Sequence, residues 1–145
     1  MKKFLLTCIA VACSLVAVAE ELLIEAESFS QRGGWVIDQQ FMDQMGSPYL
    51  MAHGMGIPVA DATAEINIPQ AGTYYVYART YNWTSPWTDA EGPGKFRLAL
   101  GGKLLKATLG HTGNSWQWQF AGKTVLKAGT TTPVSYTHLT LPTKR

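Results

Sequence analysis

Apolar and polar positions alternate along much of this chain. The cleanest run is 62–68, Ala-Thr-Ala-Glu-Ile-Asn-Ile. Ala62, Ala64, Ile66 and Ile68 face one way; Thr63, Glu65 and Asn67 face the other. Successive strand side chains point to opposite faces, so a period of two predicts a half-buried β-strand. Pro69, Gln70, Ala71 and Gly72 interrupt the run with turn residues. Residues 73–80 resume it with aromatic and β-branched side chains. Tyr74, Val76 and Ala78 share one face; Tyr75, Tyr77 and Arg79 share the other. Two such runs around a short Gly-containing turn predict a hairpin.

A second hairpin is expected over 95–109. Phe96, Leu98 and Leu100 lie on one face, and Gly101-Gly102 suits a two-residue turn with positive φ at both positions. A third candidate pair is 116–120 with 123–126, around Ala121-Gly122. In that pair Trp116, Trp118 and Phe120 share parity, which favours packing inside. Residues 22–27 are expected to form the opening strand, and 35–37 another short one. Residues 39–47 allow a turn of helix at most, and no stretch sustains a helical period. Short strands separated by turn signals predict an all-β chain, an antiparallel β-sandwich or barrel.

Both ends modify that picture. Met1-Lys2-Lys3, an uncharged apolar run over 4–18 and the small residues Ala17 and Ala19 have the order of a secretory signal peptide over 1–19. The apolar run is shorter than the ~20 residues needed to span a bilayer. Export to a bacterial periplasm or to the medium is therefore expected, with no membrane span. At the other end, Val134-Ser-Tyr-Thr-His-Leu-Thr-Leu-Pro-Thr143 resembles the translation of a transposase-type sequencing adapter. Residues 133–145 are accordingly read as a non-native tail and set aside. The expected module is 20–132, cut before its last strand or strands.

Setting the ends aside changes the charge. The whole chain carries 12 basic and 10 acidic residues. Residues 20–132 keep 8 basic and all 10 acidic, a net charge of −2. The electrostatic argument for nucleic acid disappears. Cys8 and Cys13 both fall in the leader, so 20–132 has neither a disulfide framework nor a thiolate metal site.

The run Ile24-Glu-Ala-Glu-Ser28, followed later by Gln70-Ala-Gly-Thr-Tyr-Tyr-Val-Tyr-Ala-Arg79, resembles carbohydrate-binding β-sandwich modules of jelly-roll type. A longer resemblance covers nearly all of 22–129. Its segments include Gly33-Gly-Trp-Val-Ile-Asp38, Met45-Gly-Ser-Pro-Tyr-Leu50, Pro58-Val-Ala-Asp-Ala62, Trp83-Thr-Ser-Pro-Trp87 and Pro93-Gly-Lys-Phe96. These look like the N-terminal module of exported bacterial FAD-dependent oxidoreductases. The resemblance implies a non-catalytic module here, and FAD in a catalytic domain further along the same chain. The alternatives are a carbohydrate-binding module of a polysaccharide lyase or glycoside hydrolase, and a surface adhesion module.

Within 20–132 there is little catalytic chemistry. Gly54-Met-Gly-Ile-Pro-Val59 lacks the third Gly of a dinucleotide loop and has Pro where a helix should start. No Gly-x-Ser-x-Gly or His-Glu-x-x-His pattern is present. His53 and His111 are isolated. Asp38, Asp43, Asp61, Asp89 and Glu91 show no spacing that singles out a glycosidase pair. Glu25 and Glu27, two apart on the expected first strand, would share a face. Bridging by a cation would relieve their repulsion, and calcium favours oxygen clusters. The resembling modules often hold a structural calcium near that strand. The competing reading is a solvated strand face.

Aromatic residues are the strongest functional signal. All five tryptophans lie in 20–132. Trp83 and Trp87 bracket a polar loop just after the strand that carries Tyr75, Tyr77 and Arg79. Aromatic faces stack on the C–H face of a sugar, while Arg, Asn and Asp bond its hydroxyls. A glycan is the candidate partner of these five residues. For Trp83 and Trp87 the alternative is packing, either on the sandwich itself or on a neighbouring domain. Asn82-Trp83-Thr84 also fits a glycosylation sequon.

Overall fold

The computed structural model describes residues 21–54, 57–87 and 91–136. The expected signal peptide, Asp89, the tail beyond Tyr136 and part of Gly54–Val59 lie outside them.

Among the described residues there are ten strands: β1 (Trp35–Asp38), β2 (Tyr49–Ala52), β3 (Ala62–Thr63), β4 (Ile66–Ile68), β5 (Gly72–Thr80), β6 (Arg97–Leu100), β7 (Lys103–Leu104), β8 (Gln117–Leu126), β9 (Gly129–Thr131) and β10 (Val134–Tyr136). A 3-10 turn (Ala26–Ser28) precedes them, and one helical turn, α1 (Met42–Met45), lies between β1 and β2. The pairs are antiparallel: β1 with β2, β4 with β9, β5 with β8, and a four-stranded sheet ordered β3-β10-β6-β7. The chain is an all-β sandwich, as its alternation predicts.

The core lies between these sheets. Leu100 of β6 meets Ile68 of β4 and Leu126 of β8, with Ile66, Tyr74 and Val76 packed around them. Leu105, Leu109 and Ala121 form a second cluster with Val76, Ala78, Phe96 and Leu98. A third, around Phe29, Trp35, Ala62 and Ala64, closes the end near β1 and β2. Ile68, Leu105 and Leu109 are fully buried, each worth about 1.5–3 kcal/mol of transfer free energy. These clusters fix the inner face of β5 and β8, and so leave their other face outward.

Several expectations hold in detail. β6 and β7 form the hairpin, and Gly101 and Gly102 both take positive φ, 61° and 74°. Phe96 and Leu109 continue the pairing as a single bridge. Trp35–Asp38 is a strand, and α1 is the only helical turn in its segment.

Other expectations are corrected. Residues 62–68 keep their parity but split into β3 and β4, which join different partners, β10 and β9. β4 and β5 therefore do not form a hairpin: each finds its neighbour far along the chain, with other strands between. The third pair is one continuous strand, β8, with a bulge where a turn was expected. The opening segment is a 3-10 turn, held by Ser28 N–H and Oγ donating to Glu25 O at 3.0 and 2.6 Å.

β10 bears on the tail. Val134 pairs with Thr63 on one side and Ala99 on the other; Ser135 pairs with Ala62 and Leu98. The first residues of the adapter-like run thus lie inside a sheet, between β3 and β6. Ladder hydrogen bonds use backbone groups, so almost any extended segment can fill that gap.

Candidate functional site

β5 and β8 form a long two-stranded ribbon. Its inner face carries Tyr74, Val76 and Ala78 from β5 and Ala121, Thr124 and Leu126 from β8. Its outer face carries four opposed pairs: Thr73 with Val125, Tyr75 with Lys123, Tyr77 with Phe120, and Arg79 with Trp118. The ladder advances from Val76–Gly122 directly to Tyr77–Phe120, so Ala121 is the extra residue of a β-bulge. Gly122 takes φ 146° there, a conformation open to glycine. The bulge shifts parity: odd positions face outward after it, even positions before it.

The consequence is an exposed aromatic platform. Trp118 is 60 % exposed and Phe120 48 %, beside Tyr75 at 62 % and Tyr77 at 54 %. Trp118 and Phe120 were expected inside; the bulge places them outside. The Phe120 ring lies 5.1 Å from Tyr77 and 6.4 Å from Tyr75, with interplanar angles of 49° and 31°. From Tyr75 to Arg79 the ribbon advances about 13 Å at the usual strand rise.

Arg79 shares this face, but its guanidinium is engaged. It donates to the carbonyls of Met45 at 3.0 Å and Gln44 at 3.4 Å, the C-terminal end of α1. A cation at a helix C-terminus satisfies carbonyls that have no partner within the helix. The side chain ties α1 to the end of β5 rather than reaching out for a hydroxyl.

Trp83 and Trp87 lie in the loop that leaves the same end of β5. Their rings meet edge to face, 5.9 Å apart at 72°. Trp87 is 75 % exposed and Trp83 45 %. The loop is built on Asn82, which is buried. Thr84 Oγ1 donates to Asn82 Oδ1 at 2.9 Å, and the N–H groups of Ser85 and Trp87 donate to the carbonyls of Asn82 and Thr84 at 3.0 Å. Gly92 lies against Asn82: a Cβ there would fall 1.9 Å from its Oδ1. The burial of Asn82 also takes the sequon out of reach. Gly92 N–H in turn donates to His111 O at 2.9 Å, and Glu91 contacts Lys95 Nζ at 2.6 Å and His111 Nδ1 at 3.3 Å. The Lys95 ammonium foremost, then the His111 ring, hold the Glu91 carboxyl below the usual range.

A third aromatic group is half-buried around Tyr49. Tyr81 stacks on Trp116 at 5.5 Å, Tyr49 meets Trp116 at 5.0 Å, and Phe41 touches Tyr49 and Tyr81 at 6.2 and 5.1 Å. The Tyr49 hydroxyl donates to Asp38 Oδ1, as does the Gln40 N–H. Those two donors hold Asp38 below the ordinary aspartate value, the hydroxyl foremost. Burial first, then the carboxylate, raises Tyr49. These rings fill one another's faces and serve as a small satellite core under α1.

Glu25 and Glu27 do not share a strand face. Glu27 lies within the 3-10 turn and Glu25 at its start. Among the described residues no group of three His, Cys, Asp or Glu side chains could hold a metal ion. Among them, too, no helix is long and apolar enough to cross a membrane.

No family model matches the sequence, and no curated protein matches it significantly. Solved structures do. A family 35 carbohydrate-binding module from Clostridium thermocellum aligns with a TM-score of 0.58 at 18 % identity, over 78 % of this chain and 84 % of that one. A Podospora anserina GH26-CBM35 β-(1,4)-mannanase aligns with 0.54 at 18 % identity, over 79 % of this chain. A Paenibacillus sp. cycloisomaltooligosaccharide glucanotransferase, complexed with cycloisomaltoheptaose, aligns with 0.52 at 21 % identity, over 78 %. The chain spans 24 % of the mannanase and 15 % of the glucanotransferase. At such identities the likeness establishes the fold: a β-sandwich of the carbohydrate-binding-module type.

Proposed function

We propose that this chain is a non-catalytic glycan-binding module that holds its ligand by stacking on Tyr75, Tyr77, Trp118 and Phe120. The observation that carries the proposal is the exposure of those four rings on one sheet face. Together they leave roughly 400 Å² of aromatic surface uncovered, the size of the patches that mark interaction sites on monomers. A solvated sheet face is ordinarily polar. Sugars match this surface because their C–H faces are apolar and their hydroxyls stay in water. Trp83 and Trp87, at the Arg79 end of the ribbon, supply a second contact.

The module works within a larger exported protein. The fold likenesses favour a parent that acts on glycans, because the larger proteins they include are a mannanase and a glucanotransferase. They lend no support to a FAD-dependent parent. The proposal is tested by affinity electrophoresis through gels containing a panel of soluble polysaccharides. Retardation by at least one, lost in Trp118→Ala and Tyr77→Ala at unchanged melting temperature, is expected. Equal mobility in every gel would refute it.

A further inference from the structure

The shape of the platform narrows the ligand. Resting on the glycan-binding reading above, we infer that the β5–β8 face takes a single, neutral, twisted polysaccharide chain and not the flat face of a crystalline one. Three observations carry this. First, the rings are not coplanar. Phe120 is inclined 31° to Tyr75 and 49° to Tyr77. A flat crystalline surface needs its stacking rings in one plane, so that all make contact together; inclined rings touch it only by their edges. Successive sugars of one free chain rotate about the glycosidic bonds, and each can lie flat on its own ring. The ribbon beneath them twists too, strongly when only two strands pair, which turns successive rings along it away from a common plane.

Second, the rings follow the strands. They extend from Tyr75 to Trp118 over about 13 Å, more than one pyranose, on an open sheet face and not at the bottom of a pocket. Affinity should therefore grow with the number of sugars bound. Third, the charge suits an uncharged chain. The eight outward positions of the ribbon hold no carboxylate, and of their two cations Arg79 is engaged with α1. Ring faces are negative, so they attract the weakly positive C–H groups of a sugar and disfavour a carboxylate stacked over them, which leaves an acidic glycan only Lys123 and the remaining N–H groups of Arg79.

The experiment uses the whole chain and four probes: soluble galactomannan, soluble mixed-linkage β-glucan, soluble polygalacturonate, and microcrystalline cellulose in pull-down. The expected result is retardation by at least one of the two neutral soluble chains, none by polygalacturonate, and recovery of the protein in the cellulose supernatant. Oligosaccharides of the retarding polymer should bind at least 10-fold more tightly as tetramers than as monomers. Trp118→Ala should reduce tetramer affinity at least 10-fold and leave the melt unchanged. Sedimentation with cellulose, retardation by polygalacturonate alone, or length-independent binding would each overturn this inference and leave the glycan-binding reading standing. Failure to bind any glycan would remove the reading itself, and this inference with it.

Discussion

Tyr77 stands opposite Phe120 across the β5–β8 ladder, with ring centroids 5.1 Å apart, and the next β8 residue, Ala121, is squeezed out of the pairing. That one extra residue decides which side chains of β8 meet water. Were Ala121 instead paired with Tyr77 in a regular ladder, Phe120 and Trp118 would turn toward the core while Gln119 and Gln117 turned out.

Deleting Ala121 should therefore keep the platform and cost the core. Phe120 would then directly precede Gly122, and the ladder would run on without a bulge, with Gly122 still on Val76, Phe120 on Tyr77 and Trp118 on Arg79. What is lost is a buried side chain packed with Leu105 and Leu109, worth about 1 kcal/mol. The expected outcome is a melt lowered by a few degrees, read by circular dichroism, with glycan retention kept. A deletion that abolishes retention while the protein still melts cooperatively would mean that the bulge shapes the platform beyond setting its parity.

Replacing Trp83 and Trp87 together with Ala separates binding from packing in the loop after β5. Trp87 is 75 % exposed, so its loss removes little buried area, and the loop keeps its Asn82 scaffold. Unchanged melting with glycan retention reduced a few-fold is expected. A melting temperature lowered by several degrees with retention intact would assign the pair to capping the sandwich.

The outward face of β5 was legible in the sequence, because strict alternation from Tyr74 to Arg79 needs no knowledge of its partner. Half of the platform was not. Trp118 and Phe120 share parity with Trp116, which favours the inside, and Ala121-Gly122 looks like a turn although the same two residues serve equally as a bulge. The choice depends on β5 and β8 pairing across some 40 residues of chain, which no local pattern records. The role of Arg79 was hidden for a similar reason: α1 is 34 residues away in sequence. Glu25 and Glu27 show the converse failure. Their spacing suits a strand, but Ser28 N–H and Oγ bond back to Glu25 O, and the segment closes on itself as a 3-10 turn.

Asp38 gives the fold an acid-sensitive contact. Its carboxyl lies below the ordinary value of 3.8 because the Tyr49 hydroxyl, and then the Gln40 N–H, donate to the charged form. A value depressed by folding contributes stability that is complete above 3.8 and is lost as pH falls through the folded-state value. Asp38→Asn should cost about 1 kcal/mol at neutral pH, and the melting temperatures of variant and parent should converge in acid. A constant difference across the whole range would show that charge on Asp38 does not matter.

β10 makes a prediction about where the chain can be cut. Its residues Val134–Tyr136 lie in the run that resembles an adapter, yet they form the strand between β3 and β6. A chain ending at Thr132 would leave both neighbours with unpaired backbone groups and uncover part of the face over Ala62 and Leu98. Unpaired edges recruit other chains, and the exposed apolar area recruits more. Such a chain should elute as aggregate in size exclusion, bind an apolar dye strongly, and lack a sharp thermal transition. The 145-residue chain, with the strand in place, should be monodisperse and melt cooperatively. Backbone pairing is indifferent to the origin of a strand, so Val134, Ser135 and Tyr136 need only be extended and long enough to bridge the gap. Replacing Ser135 with Pro tests that directly. It removes a ladder donor at a position paired on both sides, and it should reproduce the behaviour of the truncated chain, whereas Ser135→Ala should resemble the parent.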